Sequence, residues 1–125
     1  MPDVRVLICG SRDLASPTPV DLVLNGYLAV GTPTVIEGRC PFGGADLYAE
    51  TWATWNACPH EPFPADFDGL GKKAGPIRNQ KMLDEGNPDV VWAFVNKPLS
   101  ASRGTADMVR RARVAGIPTY VVEVL

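Results

Sequence analysis

A chain of 125 residues is long enough for one core covered on both faces of a sheet and too short for two, so residues 1–125 read as a single domain. With 12 Lys and Arg against 14 Asp and Glu the net charge is −2, which argues against nucleic acid or an anionic membrane as a general partner and leaves room for a local basic site. Cys9, Cys40 and Cys58 form no Cys-x-x-Cys pair, no stretch approaches the roughly 18 apolar residues of a membrane span, and the first residues carry no signal pattern; the expectation is a reduced, cytoplasmic protein without a disulfide framework.

Val4 to Cys9 is a short apolar and β-branched run, and it predicts a buried first strand closed by the tight loop Gly10-Ser11-Arg12. Ser16-Pro17-Thr18-Pro19 supplies helix-start chemistry ahead of Val20, Leu22, Val23, Leu24, Tyr27 and Leu28, with Asn25-Gly26 weakening the middle of that helix. Thr34 to Ile36 reads as a second strand, Gly38 to Gly44 as a turn-rich segment, and Ala45 to Ala57 as a helix carrying Leu47, Trp52 and Trp55. A weak extended segment between Pro59 and Pro64 leads into a loop from Ala65 to Lys73. Gly75-Pro76 then opens a helix ending near Gly86, because proline at a helix start lacks only an N–H that would have no partner there. Asp89 to Val95 is apolar almost without interruption, as a doubly covered parallel strand should be. A loop from Asn96 to Arg103, a helix from Ala106 to Ala115 capped by Gly116, and a strand from Pro118 to Val124 complete the chain. Strands alternating with helices predict an α/β fold, a Rossmann-like three-layer sandwich on a parallel sheet of about five strands.

Ligands of such sheets bind outside the carboxyl ends of the strands, near the reversal of strand order. The polar and glycine-rich segments fall at those ends: Gly10-Ser11-Arg12, Gly38 to Asp46 with Gly43 and Gly44, Asp66 to Arg78, and Arg103-Gly104-Thr105. Glycines let backbone N–H groups approach a phosphate, Ser11 and Thr105 can bind an anionic oxygen, and Arg12, Arg78 and Arg103 can supply bidentate charge. The chain carries neither Gly-x-Gly-x-x-Gly nor a Walker-type loop. Arg78 stands in the first turn of its helix, and the Asn79 amide can hold the loop from Asp66 as well as touch a ligand. Glu37 has the place of a carboxylate that holds ribose hydroxyls. His60 has no partner at a fixed spacing, so no metal site or catalytic triad is read from it; Cys9 reads as core, Cys40 as a pocket-loop thiol without an activating base, and Trp52, Trp55 and Trp92 as core or interface.

These segments, together with Phe63-Pro64-Ala65-Asp66, Ala74 to Met82 and Gly104-Thr105-Ala106-Asp107-Met108, resemble in order and over nearly the whole chain the motifs of the YspA-like branch of the SLOG superfamily. The resemblance implies a Rossmann-like domain of bacterial or phage type that binds a nucleotide or nucleotide-derived ligand, as a sensor or a sequestering protein, without a cofactor or metal. It also implies a homo-oligomer, for which tryptophans on the Ala45 to Ala57 helix would serve. Distant relatives of that family are the lonely-guy phosphoribohydrolases and the DNA-processing protein A domain. Through the first, Arg78 takes the role of a phosphate-holding arginine. Asp107 stands near the place of a catalytic glutamate, one methylene shorter, while Ser100-Ala101-Ser102-Arg103 replaces the preceding glycines. An N-glycosidic hydrolase acting on a nucleoside monophosphate is therefore one alternative. Single-stranded DNA binding through Arg12, Lys72, Lys73, Arg78 and Lys81 is another.

Overall fold

In the computed structural model, which describes residues 3–124, five strands and five helices alternate along the chain. They are β1 (Arg5–Gly10), α1 (Thr18–Leu28), β2 (Thr34–Glu37), α2 (Ala45–Trp55), β3 (His60–Pro62), α3 (Phe67–Leu70), α4 (Ala74–Asp84), β4 (Val90–Val95), α5 (Arg103–Val114) and β5 (Thr119–Glu123). The strands form one parallel sheet in the order β3-β2-β1-β4-β5. The expected Rossmann-like three-layer sandwich is the observed one.

Alternation along β1 explains the two cores, because successive side chains of a strand point to opposite faces. Val6 and Ile8 pack with Val35, Val90 and Phe94 against Val20 and Leu24 of α1 and Ala49, Trp52 and Ala53 of α2. Leu7 and Cys9 pack with Ile36, Val91 and Ala93 against Met82 and Leu83 of α4 and Met108, Val109 and Ala112 of α5. Asn25 fits inside α1 because its side-chain carbonyl accepts the Trp52 indole N–H at 2.8 Å. Trp92 stacks on Tyr120, centroids 4.6 Å apart, and donates to the Tyr27 hydroxyl at 2.9 Å. Only Trp55, 84% exposed, is left in solvent among the tryptophans. Among the described residues no helix is long and apolar enough to cross a membrane.

Two helix starts differ from the sequence expectation, and both move site residues. The segment expected as a loop from Ala65 to Lys73 winds into α3 and a 3-10 turn, Gly71–Lys73, that runs directly into α4. The cause is Asp66, whose carboxylate accepts the Gly69 N–H at 2.9 Å and so caps a helix within the segment expected as a loop. Arg78 consequently lies in the second turn of α4, not the first. Likewise α5 begins at Arg103, three residues before Ala106, with Ser102 at its N-cap.

Candidate functional site

Strand order reverses between β1 and β4. From β1 the chain leaves for β2 and β3 on one side, and after crossing over it builds β4 and β5 on the other. Loops leaving the carboxyl ends of β1 and β4 must therefore part, and a cavity of about 500 Å³ opens between them. Cys9, Met82 and Met108 give it an apolar floor, while Gly10 to Asp13, Arg78, Asn79, Lys97 and Ser102 to Thr105 supply polar walls. Gly10 is required where β1 meets β4. It has φ +152°, the Ser11 N–H donates to Phe94 O at 2.8 Å, and a Cβ at Gly10 would fall within 2.9 Å of the Phe94 backbone carbon and nitrogen.

One wall is the start of α5. Ser102 N–H is taken by Leu99 O at 2.9 Å, and Ser102 O receives the Ala106 N–H at 2.8 Å, which leaves the N–H groups of Arg103, Gly104 and Thr105 as the helix's unpaired donors. The Ser102 side chain does not cap them. Its hydroxyl is buried and has no hydrogen-bond partner, the one such buried side-chain atom among the described residues, and Ser102 is one of the residues that line the cavity. A buried hydroxyl without a partner costs about 1–3 kcal/mol, a cost removed only by an acceptor that comes within hydrogen-bond reach of it.

The opposite wall is built on Arg78. Its Nη1 donates to Gly38 O at 2.6 Å and its Nε to Asn79 Oδ1 at 3.0 Å. Gly38 has no room for a side chain, since a Cβ there would overlap the guanidinium and lie 2.8 Å from its Cζ. The buried Asn79 amide reaches the other way, donating to Gly104 O at 3.2 Å and to Asp107 Oδ2 at 3.0 Å, so it ties α4 to α5 and not to the Asp66 loop. Asp46, buried in α2, lines the cavity and accepts the Cys40 N–H at 3.1 Å. Burial pushes its carboxyl up to about 7, assisted by the charge of Glu37, against the opposing pull of Arg78 and the Cys40 hydrogen bond.

Charge distinguishes this cavity from the rest of the surface. Arg12, Arg78, Lys97 and Arg103 line it, and none forms an ion pair with a carboxylate of the described residues. Only Asp13 and Asp46 oppose them there.

Of the residues expected from sequence, Gly10, Ser11, Arg12, Asp46, Arg78, Asn79, Arg103, Gly104 and Thr105 come together at this cavity. Four others do not. Asp66 is exposed and serves its own helix. Gly43 and Gly44 lie outside the cavity lining, and the start of α2 is no open anion seat, because Ala45 N–H donates to Ser11 O at 3.3 Å and Gly44 (φ +77°) is needed for that close approach to the β1 loop. Asp107 is not poised as a catalytic acid. Its oxygens are occupied by Arg110 at 2.6 Å, Arg111 at 2.8 Å and Asn79 at 3.0 Å. Burial pushes its carboxyl up, but hydrogen bonds from Arg111 and Asn79 and the charges of Arg111 and Arg110 together bring it below the usual carboxylate value.

Glu37 is likewise no ribose holder. It is fully buried, pairing with the His60 ring at 2.5 Å and with the Arg39 N–H. Glu37, Glu50 and His60 bring three donor atoms within 4.8 Å, yet the His60 ring is bonded to Glu37 and Arg39 to Glu50, so these groups already hold one another. Ser102, Asp13 and Lys97 are the site residues that sequence reasoning missed. For Ser102 the signal was a serine directly ahead of a helix, masked by placing that helix three residues too late.

Among curated proteins the chain is similar to the Gene 61 protein of Mycobacterium phage D29, with 38% identity over 120 residues that span 91% of this chain and 92% of that protein. No family model and no solved structure matches it. By that identity and its near-complete coverage of both chains, this protein belongs to the family of the phage Gene 61 protein.

Proposed function

We propose that this protein binds a nucleotide or nucleotide-derived ligand in the cavity at the carboxyl edge of the sheet, with phosphate seated at the start of α5. The observation that carries the reading is the Ser102 hydroxyl, buried without a partner beside unpaired helix N–H groups. Four cations around the same cavity, none in an ion pair with a carboxylate of the described residues, support a ligand with several negative charges. A sensor and a sequestering protein use such a site alike, and a phage relative suits either. Isothermal titration against AMP, ADP-ribose and cyclic nucleotides tests the reading; a folded sample that binds none of them rejects it.

A second reading, cleavage of the N-glycosidic bond of a nucleoside monophosphate, is favoured by Asp46 and not by Asp107. A buried carboxyl that titrates near 7 can give its proton to the departing base while water adds to C1′ of the ribose and returns a proton to the carboxylate. Free base released by the wild type and not by Asp46→Asn supports this reading. No release from saturated wild-type protein rejects it. For single-stranded DNA there is less support, since Lys72, Lys73 and Lys81 are exposed outside the cavity.

A further inference from the structure

We propose that the site grips the flat face of a nucleobase on the stacked pair Arg12 and Phe42, so that its ligands are nucleotides with a large base, purines before pyrimidines. This rests on the phosphate-binding reading above and adds the other end of the ligand. The Arg12 guanidinium lies over the Phe42 ring, its Cζ 5.1 Å from the ring centroid. Arg12 lines the cavity and forms no ion pair with a carboxylate of the described residues. Phe42 is 71% exposed, a large apolar ring outside the core that does not itself line the cavity and meets it through Arg12.

A guanidinium lying over one ring keeps a second face for another aromatic plane, and its edge N–H groups stay available to phosphate or ribose oxygens. The two halves of the pair come from different segments whose backbones are held together. Ala45 N–H donates to Ser11 O at 3.3 Å, Gly43 N–H donates to Cys40 O at 3.3 Å, and Gly44 leaves no space between the Phe42 turn and the Arg12 loop. The backbone that carries the pair is thus set before a ligand arrives, while both side chains are exposed. Stacking reads the area of a base and not its hydrogen-bonding edge, so adenine and guanine are accepted alike and a smaller ring is held less well.

Titration calorimetry with AMP, CMP and ribose 5-phosphate separates the two ends of the ligand. AMP is expected to bind about 5- to 150-fold more tightly than ribose 5-phosphate, the span of one base–aromatic stack, with CMP between them. Phe42→Ala should bring AMP down to the level of ribose 5-phosphate, and Phe42→Trp should restore the difference; far-UV circular dichroism melts check that both variants are folded. Equal affinity of the wild type for AMP and ribose 5-phosphate overturns the stacking proposal and leaves the phosphate seat standing, as does a Phe42→Ala variant that keeps the full difference. Binding of none of the three probes overturns the phosphate seat and this proposal with it.

Discussion

Replacing Asp46 with asparagine keeps the shape of the side chain and an oxygen for the Cys40 N–H while removing a charge that folding must bury. The facing groups are the Cys9 thiol from β1, Glu37 from β2, the Cys40 N–H and Arg78 from α4. Because the folded carboxyl titrates near 7 and the ordinary aspartate near 3.8, the native state holds more protons than the unfolded one between those values, and stability falls as pH rises through that window. The loss is absent below about 3.8, grows up to about 7 and is constant above. At 1.36 kcal/mol per pH unit the full cost is about 4 kcal/mol, an upper figure, since water entering the cavity relieves part of it. Urea unfolding of wild type and Asp46→Asn at pH 5, 6, 7 and 8 should show a stabilisation by asparagine that grows with pH and levels off above about 7. Glu37, also raised by burial, is common to both proteins and cancels in the comparison. A difference independent of pH, or one largest at pH 5, would refute the reasoning.

Ser102→Ala removes the unpartnered hydroxyl, so the free protein should gain about 1 kcal/mol in thermal unfolding while AMP affinity falls; a loss of stability would mean that the hydroxyl has a partner in solution. Gly38→Ala places a methyl group where the guanidinium of Arg78 stands, and calorimetry should show AMP binding weakened about 10-fold or more as Arg78 gives up Gly38 O. An Arg78 that keeps its position in a crystal structure of that variant would count against the crowding. Asp107→Ala breaks the bond that ties α5 to Asn79 of α4 and the bond to Arg111 one turn along α5 itself, and should lower unfolding stability by about 1 kcal/mol, with the exposed Arg110 contributing little of it. If free base is released by the wild type, the Asp107→Ala variant should still release it.

The fold was legible because its strongest signals are local. Asp89 to Val95 has no polar interruption after its first residue, and a run of that kind has few stable places other than the middle of a parallel sheet. Site residues carried by the ends of those strands, Gly10, Ser11 and Arg12 after β1 and Arg103, Gly104 and Thr105 at the start of α5, followed from the sheet rule. What failed needed distances between segments remote in the chain. Asp107 reads as a candidate acid until Arg110 and Arg111, one turn further along α5, and Asn79 from α4 are seen to close on it. Glu37 reads as a ribose ligand until β3 sets His60 beside it, and β3 is three residues long with a proline at its end, too short to be placed with assurance. Asp66 misled for a different reason. Aspartate three residues before glycine fits a turn and a helix cap equally, and only the winding of α3 distinguishes them.

The strand order also has a folding consequence. β1 pairs with β4, so Val6 meets Val90 and Gly10 meets Phe94 only after most of the chain has been made. The cavity is lined by residues near positions 10, 46, 78 and 103, and no fragment that ends before α5 holds them all. A nascent or clipped chain lacking α5 therefore has no partial affinity to offer, and any ligand that binds does so to the finished sheet alone. Ligand at 100 times its dissociation constant then adds about 2.7 kcal/mol to global unfolding, on the order of 10 °C in melting temperature for a domain of this size. Thermal melting against a panel of compounds thereby becomes a screen that finds the ligand whatever its chemistry.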